Sequence, residues 1–161
     1  MTDKTTSVTV GTPRRLRGDA LHIFGLSQRY AHTNVGMPAQ WARFIPFIGS
    51  IADRADDATY GVVRNAGERG TIDYITGVAV RAFPDEPKEF ARLEIPAQTY
   101  AVFEHRDHVS AVQTTWQAIW DHGLSDANLE AADGLSFERY GKNFDPPTGL
   151  GGFEIWVPVK A

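Results

Sequence analysis

The sequence predicts an α+β fold in which one β-α-β-β unit is written twice, giving antiparallel sheet and two main helices. Three observations carry this expectation. Apolar residues recur at helical spacing in two segments, with strand-like runs around them. The order strand, helix, strand, strand then appears on either side of a charged, proline-bearing stretch at 83–90. Finally, short identities fall in register with that order. Tyr60-Gly61 recurs as Tyr140-Gly141, Val78-Ala79-Val80 as Val157-Pro158-Val159, and Trp41 and Trp116 hold similar places in the two helices. The domain is expected over 12–160, with half-repeats 12–82 and 91–160, a linker at 83–90, and a disordered tail and lead-in at 1–11.

The first strand is expected over Arg14–Gly25. Residues 38–53 follow as a helix, with Trp41, Phe44, Ile45, Ile48, Ile51 and Ala52 on one stripe. Pro38 suits its first turn, whereas Pro46 removes an interior hydrogen bond, so a kink or split is expected near Arg43. Two strands, Thr59–Val63 and Ile72–Ala82, flank the turn cluster at 65–70 and close the first unit. The second unit opens with a strand over Ala91–Glu104. Its helix is expected at 109–122, with Val109, Val112, Trp116, Ile119 and Trp120 on one side and Gly123 as a left-handed C-cap. Strands at Ser136–Gly141 and Phe153–Lys160 complete the chain, separated by a glycine- and proline-rich turn at 145–152.

Composition narrows the function classes. The 161 residues carry 16 basic and 20 acidic side chains, a formal charge of −4 with no basic cluster of the kind that nucleic-acid binding needs. Cysteine is absent, which excludes disulfides, thiolate metal sites and a thiol nucleophile. No apolar run approaches the roughly 20 residues that span a bilayer, and the polar start lacks a signal-peptide core. A cytoplasmic protein with no membrane association and no direct DNA binding is expected.

Candidate chemistry begins in the last strand. Alternation puts Glu154, Trp156 and Pro158 on one face and Phe153, Ile155 and Val157 on the other. A buried carboxylate beside an indole suits an organic cation, through charge neutralisation and cation–π attraction. The alternative is a Glu154 at the sheet rim, or one paired with Arg139 or Arg29. Trp116, Trp120, Phe137, Tyr140, Phe144, Phe153 and Trp156 concentrate aromatic surface in the second half, as cavity lining or as core. The run Glu104-His105-Arg106-Asp107-His108 is expected to be a solvated loop and not a metal site, because neighbouring residues at a strand end rarely converge on one point. His22, His32 and His122 stand in no catalytic spacing, and no cofactor motif is present.

Together these residues resemble the GyrI-like family, the effector-binding domain of bacterial multidrug-sensing regulators, which also occurs alone. The resemblance rests on Gly25-Leu26-Ser27-Gln28-Arg29-Tyr30, Trp41-Ala42-Arg43-Phe44-Ile45-Pro46, Tyr60-Gly61-Val62 and Asp73-Tyr74-Ile75-Thr76-Gly77-Val78 in the first half. In the second half it rests on the run 95–103, Phe137-Glu138-Arg139-Tyr140, Phe144-Asp145-Pro146 and the run 154–159. It implies a ligand pocket at the junction of the halves with an acid at its base, and position in the final strand gives that role to Glu154. Trp156, Trp116, Trp120, Tyr140 and Phe144 would line it. The implied function is standalone binding of small hydrophobic, cationic or aromatic molecules, for drug or toxin sensing or sequestration. Two alternatives use the same resemblance. One is hydrolysis of strained cyclopropane-bearing compounds by Glu154 and a Trp, and the other is a protein-interaction module that inhibits a topoisomerase-like enzyme. With only about a dozen residues before the first strand, no helix-turn-helix module is expected.

Overall fold

The computed structural model describes residues 10–31, 36–65 and 71–161, with the side chain of Asn65 left aside. The expected tail falls mostly on 1–9, and His32 and most of the 65–70 turn also lie outside the described residues. The strands are β1 (Arg14–Gly18), β2 (Leu21–Ala31), β3 (Arg54–Asn65), β4 (Thr71–Val80), β5 (Ala91–Ile95), β6 (Gln98–His105), β7 (Ser136–Tyr140) and β8 (Phe153–Pro158). Two main helices, α1 (Met37–Phe44) and α2 (Val112–Ala118), stand between β2 and β3 and between β6 and β7.

All eight strands form one antiparallel sheet in the order β1-β6-β8-β7-β3-β4-β2-β5. The triplets β6-β8-β7 and β3-β4-β2 meet at the β3·β7 seam, where Gly61 pairs with Glu138. Two expected strands are in fact four. Arg14–Gly25 breaks at Asp19-Ala20, and Ala91–Glu104 breaks at Pro96-Ala97. The chain crosses between halves at these breaks, since β1 pairs with β6 and β5 pairs with β2. Pro96 has no N–H to give to a ladder, which explains why pairing stops there.

Among the described residues, one sheet face carries no helix. It gathers Tyr60, Val62, Ile75, Tyr100, Val102 and Phe137 with residues of both edge strands, Leu16 and Ile95, so the sheet curls around this cluster. The other face carries the helices. Phe44 of α1 packs with Phe24, Val78 and Phe90, while Val112 of α2 packs with Phe103, Tyr140, Ile155 and Val157. Gln40 fixes α1 from inside: fully buried, it accepts from the Tyr30 hydroxyl and donates to the carbonyl of Tyr74.

The first helix splits close to Arg43, as Pro46 led one to expect, and the second departs from its expected course. The α-helix at 37–44 gives way to a 3₁₀ segment over Ile45–Ser50, because Pro46 cannot donate to the carbonyl four residues back. Ile45 still bonds to the Trp41 carbonyl in α geometry and lies roughly 100° around the axis from buried Phe44, so it is 45% exposed, although it was expected on the buried stripe. In the second helix a π turn spans Ile119–Gly123 and one more turn follows at Leu124–Asp126. Gly123 is therefore helical, not a left-handed cap. Its missing side chain instead gives room, since a Cβ there would lie 3.0 Å from Val10 and 3.2 Å from Phe103. The left-handed residue is Asn128, at φ 59°. Its N–H bonds to the Ser125 carbonyl and that of Leu129 to Leu124, which is a Schellman termination.

Phe137 has no exposed surface and touches the rings of Tyr60, Tyr100 and Trp156. Phe137→Ala should therefore destabilise the fold by about 3–5 kcal/mol. Urea unfolding checks this, and a loss below 1 kcal/mol, about the value of a conservative core swap, would mean that the curl does not depend on that ring.

Candidate functional site

Alternation along β7 sends Phe137 and Arg139 to the curled face and Glu138 and Tyr140 toward the helices. Glu138 is only 4% exposed. Its Oε1 accepts from the hydroxyls of Tyr74, at 2.8 Å, and Tyr140, at 2.7 Å. Its Oε2 accepts from Trp116 Nε1 at 2.9 Å. Trp41 of α1 stands behind this ring of donors and gives its Nε1–H to the Tyr74 oxygen at 3.1 Å. That bond fixes the direction of the next one, because Tyr74 accepts from Trp41 and turns its own proton to Glu138. Strands β4 and β7 and both helices thus converge on one carboxylate.

Glycine makes the arrangement possible. Gly61 lies opposite Glu138 on β3, and a Cβ there would stand 2.2 Å from the Tyr74 oxygen and 2.9 Å from Glu138 Oε1. No side chain larger than hydrogen leaves space for the pair.

No basic residue lies within ion-pair distance of Glu138 among the described residues, so hydrogen bonds alone compensate its burial. A cleft of about 600 Å³ opens over it, walled by Met37, Tyr74, Gln113, Trp116, Trp120 and Leu135. This size lies within the range of small-molecule sites. The Trp116 and Trp120 rings are nearly parallel, with centroids 6.4 Å apart, and Trp120 is 51% exposed at the mouth. Arg64 also borders the cleft, held by Asp73 at 3.6 Å. The Arg29 guanidinium, hydrogen-bonded to Asp73, holds that carboxyl below its ordinary value.

The residues expected from sequence are divided between two places. Trp116, Trp120 and Tyr140 belong to the Glu138 cluster. Phe144 packs behind it on Tyr140 and Phe153. Glu154 and Trp156 lie on the opposite face, in register with Arg139 and Phe137. The Glu154 carboxylate, with 26% of the side chain exposed, pairs with Arg14 at 2.7 Å and lies 3.9 Å from Arg139. Trp156 donates its Nε1–H to it at 3.0 Å. The 104–108 run is not wholly a solvated loop. His105 is 2% exposed, bonded to Thr115 Oγ1 and to the carbonyl of His108. The acid Glu138 escaped the sequence reading. Its signal was a glutamate alternating with aromatics in a short strand, sharing its face with no basic residue.

The whole chain from Arg14 onward matches one family, the GyrI-like small molecule binding domain, over residues 14–160. The protein belongs to the GyrI-like family. Over 121 residues it is 31% identical to the transcriptional regulator BrlR of Pseudomonas aeruginosa, covering 74% of this chain and 44% of the regulator. The chain thus spans less than half the length of that relative. Among solved structures it is similar to SAV2435 bound to tetraphenylphosphonium, with a TM-score of 0.74 at 20% identity over 94% of this chain and 95% of that one. It is also similar to an integron cassette protein of Vibrio cholerae, with a TM-score of 0.64 at 16% identity over 94% and 98% of the two chains. At such identities the structural likeness speaks for the fold. No helix among the described residues of this GyrI-like domain is long and apolar enough to cross a membrane.

The tyrosines give a test of the cluster's burial. Burial, reinforced by the Glu138 charge, pushes the hydroxyls of Tyr74 and Tyr140 well above the ordinary value of 10.0. Burial also raises Tyr30, Tyr60 and Tyr100, which completes the 5 tyrosines of the chain. With folded values above the unfolded one, the stability they contribute is complete below about pH 10 and falls as pH rises past it. Tyrosinate absorbance of the native protein should stay low through pH 10 and lag behind that of the unfolded chain as pH rises further. In denaturant all five should titrate near their ordinary value. Ionisation of most tyrosines at pH 10 in a protein that remains folded would show that the hydroxyls are not sequestered.

Proposed function

We propose that the protein binds a hydrophobic organic cation in the cleft over Glu138. One observation carries this reading: a buried carboxylate, held by neutral donors with no basic partner, lies beside two stacked indoles open to solvent. A cation entering the cleft gives the carboxylate the opposite charge it lacks, while Trp116 and Trp120 offer ring faces to the cation and its apolar body. The bound tetraphenylphosphonium of the similar protein SAV2435 is a ligand of that chemical kind. Trp116 and Trp120 keep the ligand-facing role that the sequence gave them, whereas Tyr140 is buried outside the cleft lining and supports the carboxylate through its hydroxyl. The anchoring role passes from Glu154 to Glu138, because the Arg14 guanidinium already neutralises Glu154. Sensing or sequestration of such a cation is the activity this supports.

Calorimetric titration with tetraphenylphosphonium tests the proposal. Glu138→Gln keeps the shape and removes the charge, so it should weaken binding by roughly 1.5–3 kcal/mol, or about 10- to 150-fold. Glu154→Gln should bind like the parent protein, and a neutral triphenylphosphine oxide should be insensitive to either change. Equal weakening of charged and neutral ligands by Glu138→Gln would give that residue a purely structural role. Loss confined to Glu154→Gln would return the anchor to the last strand. Chromatography of a cyclopropane-bearing electrophile after incubation separates binding from hydrolysis, and recovery of unchanged compound is expected.

A further inference from the structure

The other end of the β3 and β7 strands holds a second and larger cleft, of about 960 Å³, with quite different chemistry. Its floor forms where β3 loses register with β4 between Arg54 and Thr59. Such bulges re-aim side chains and are common beside functional sites. Arg54, Arg81, Arg106, Arg139 and Lys142 line it, against Asp56, Asp57, Glu104 and Glu154.

Most of these charges are already engaged. Glu104 is taken by Arg106, and Glu154 by Arg14 with Arg139 nearby. Asp56 accepts from the Ala58 N–H at 2.9 Å and from the Tyr60 hydroxyl at 2.7 Å. Arg139 donates its Nε–H to that same hydroxyl at 3.3 Å, and Arg81 stands 4.0 Å from Asp53. Asp57 remains, exposed at the rim. Two cations stand apart. Neither Arg54 nor Lys142 has a carboxylate within ion-pair distance among the described residues. Arg54 donates through Nη2 to the Ala58 carbonyl at 3.2 Å, yet its Nε is buried with no acceptor. An unpaired buried donor on a charged group is rare enough in folded proteins to call for an explanation.

We infer that this cleft is a second small-molecule site, for a ligand bearing a carboxylate or phosphate group that Arg54 and Lys142 receive. Arg54 lines the cleft with its Nη2 on a neutral carbonyl and no carboxylate opposite, and a planar guanidinium is suited to binding two oxygens of one anionic group at once. The near balance of basic and acidic lining disfavours a polyanion and suits a group of one or two negative charges. The inference is independent of the cation cleft, which lies at the other end of the same strands.

Titration of ¹⁵N-labelled protein with inorganic phosphate, and separately with acetate, tests it by NMR. Saturable shifts are expected at the amides of Ala58, Gly141, Gly151 and Gly152, while those of Tyr74 and Glu138 stay in place. Saturation by phosphate alone assigns a phosphate ligand, and by acetate alone a carboxylate. Arg54→Gln should weaken binding roughly 10- to 150-fold, and Glu138→Gln should leave it unchanged. Shifts that never saturate, or that Arg54→Gln leaves intact, overturn the inference. Should Arg54→Gln fail to fold, the exposed Lys142→Gln carries the test, and its failure to weaken binding is equally decisive.

Discussion

A carboxylate on the helix-covered face of a sheet has to be surrounded by donors, and meeting that demand for Glu138 organises much of this molecule. Tyr74 comes from β4, Tyr140 from β7 and Trp116 from α2, each aiming one polar hydrogen at the two oxygens. Trp41 of α1 orients Tyr74 in turn. Leaving one such group unsatisfied costs about 1–3 kcal/mol, more when it is charged. Each helix is therefore held in place by a polar contact as well as by its apolar stripe. The same ring of neutral donors leaves the negative charge without a counter-ion among the described residues, and the proposed preference for cations rests on that feature.

The helices are shaped to that end. Pro46 stops α1 one turn after Trp41, which leaves the indole wedged between the Phe44 and Tyr140 rings. In the second helix the π turn begins directly after Ala118, and such one-residue expansions are frequent at functional sites. Ile119 is fully buried against the sheet, while Trp120 stays at the mouth of the cleft beside Trp116. A regular helix closed by a left-handed Gly123 would have ended before Leu124, which helps to bury the helix against Phe103 and Val157.

The element order was legible because strand and helix periods differ and because the β-α-β-β pattern occurs twice. Strand breaks were harder to see, since Ala91–Glu104 keeps its apolar alternation through the corner, and in Arg14–Gly25 only Gly18-Asp19 and a change of phase at Ala20-Leu21 mark where the chain changes partner. Three aromatic members of the site, Trp116, Trp120 and Tyr140, were visible from composition. The acid was not. Strand alternation says which residues share a face and leaves open which face meets the helices, and here both faces are buried. Glu154 beside Trp156 and Glu138 beside Tyr140 are equivalent patterns in one dimension. What separates them is a guanidinium from β1, 140 positions away in the chain, lying against one and not the other.

That long-range contact belongs to a wider constraint on the seam between the halves. The β3·β7 ladder joins them in the middle, yet Tyr74 is carried by the first half, and Trp116, Tyr140 and Glu138 by the second. Hydrogen bonds across such a seam need its geometry fixed to within a few tenths of an ångström. A single five-pair ladder could twist or slide. The exchange of β1 onto β6 and of β5 onto β2 adds two further ladders between the halves, one at each edge. The apolar cluster on the curled face, with residues from both edges around Phe137, locks the curl that these ladders define. The exchanged edge strands never touch Glu138. By holding the halves from the outside, they keep its donors at bonding distance and leave the helix-covered face free to open a cleft.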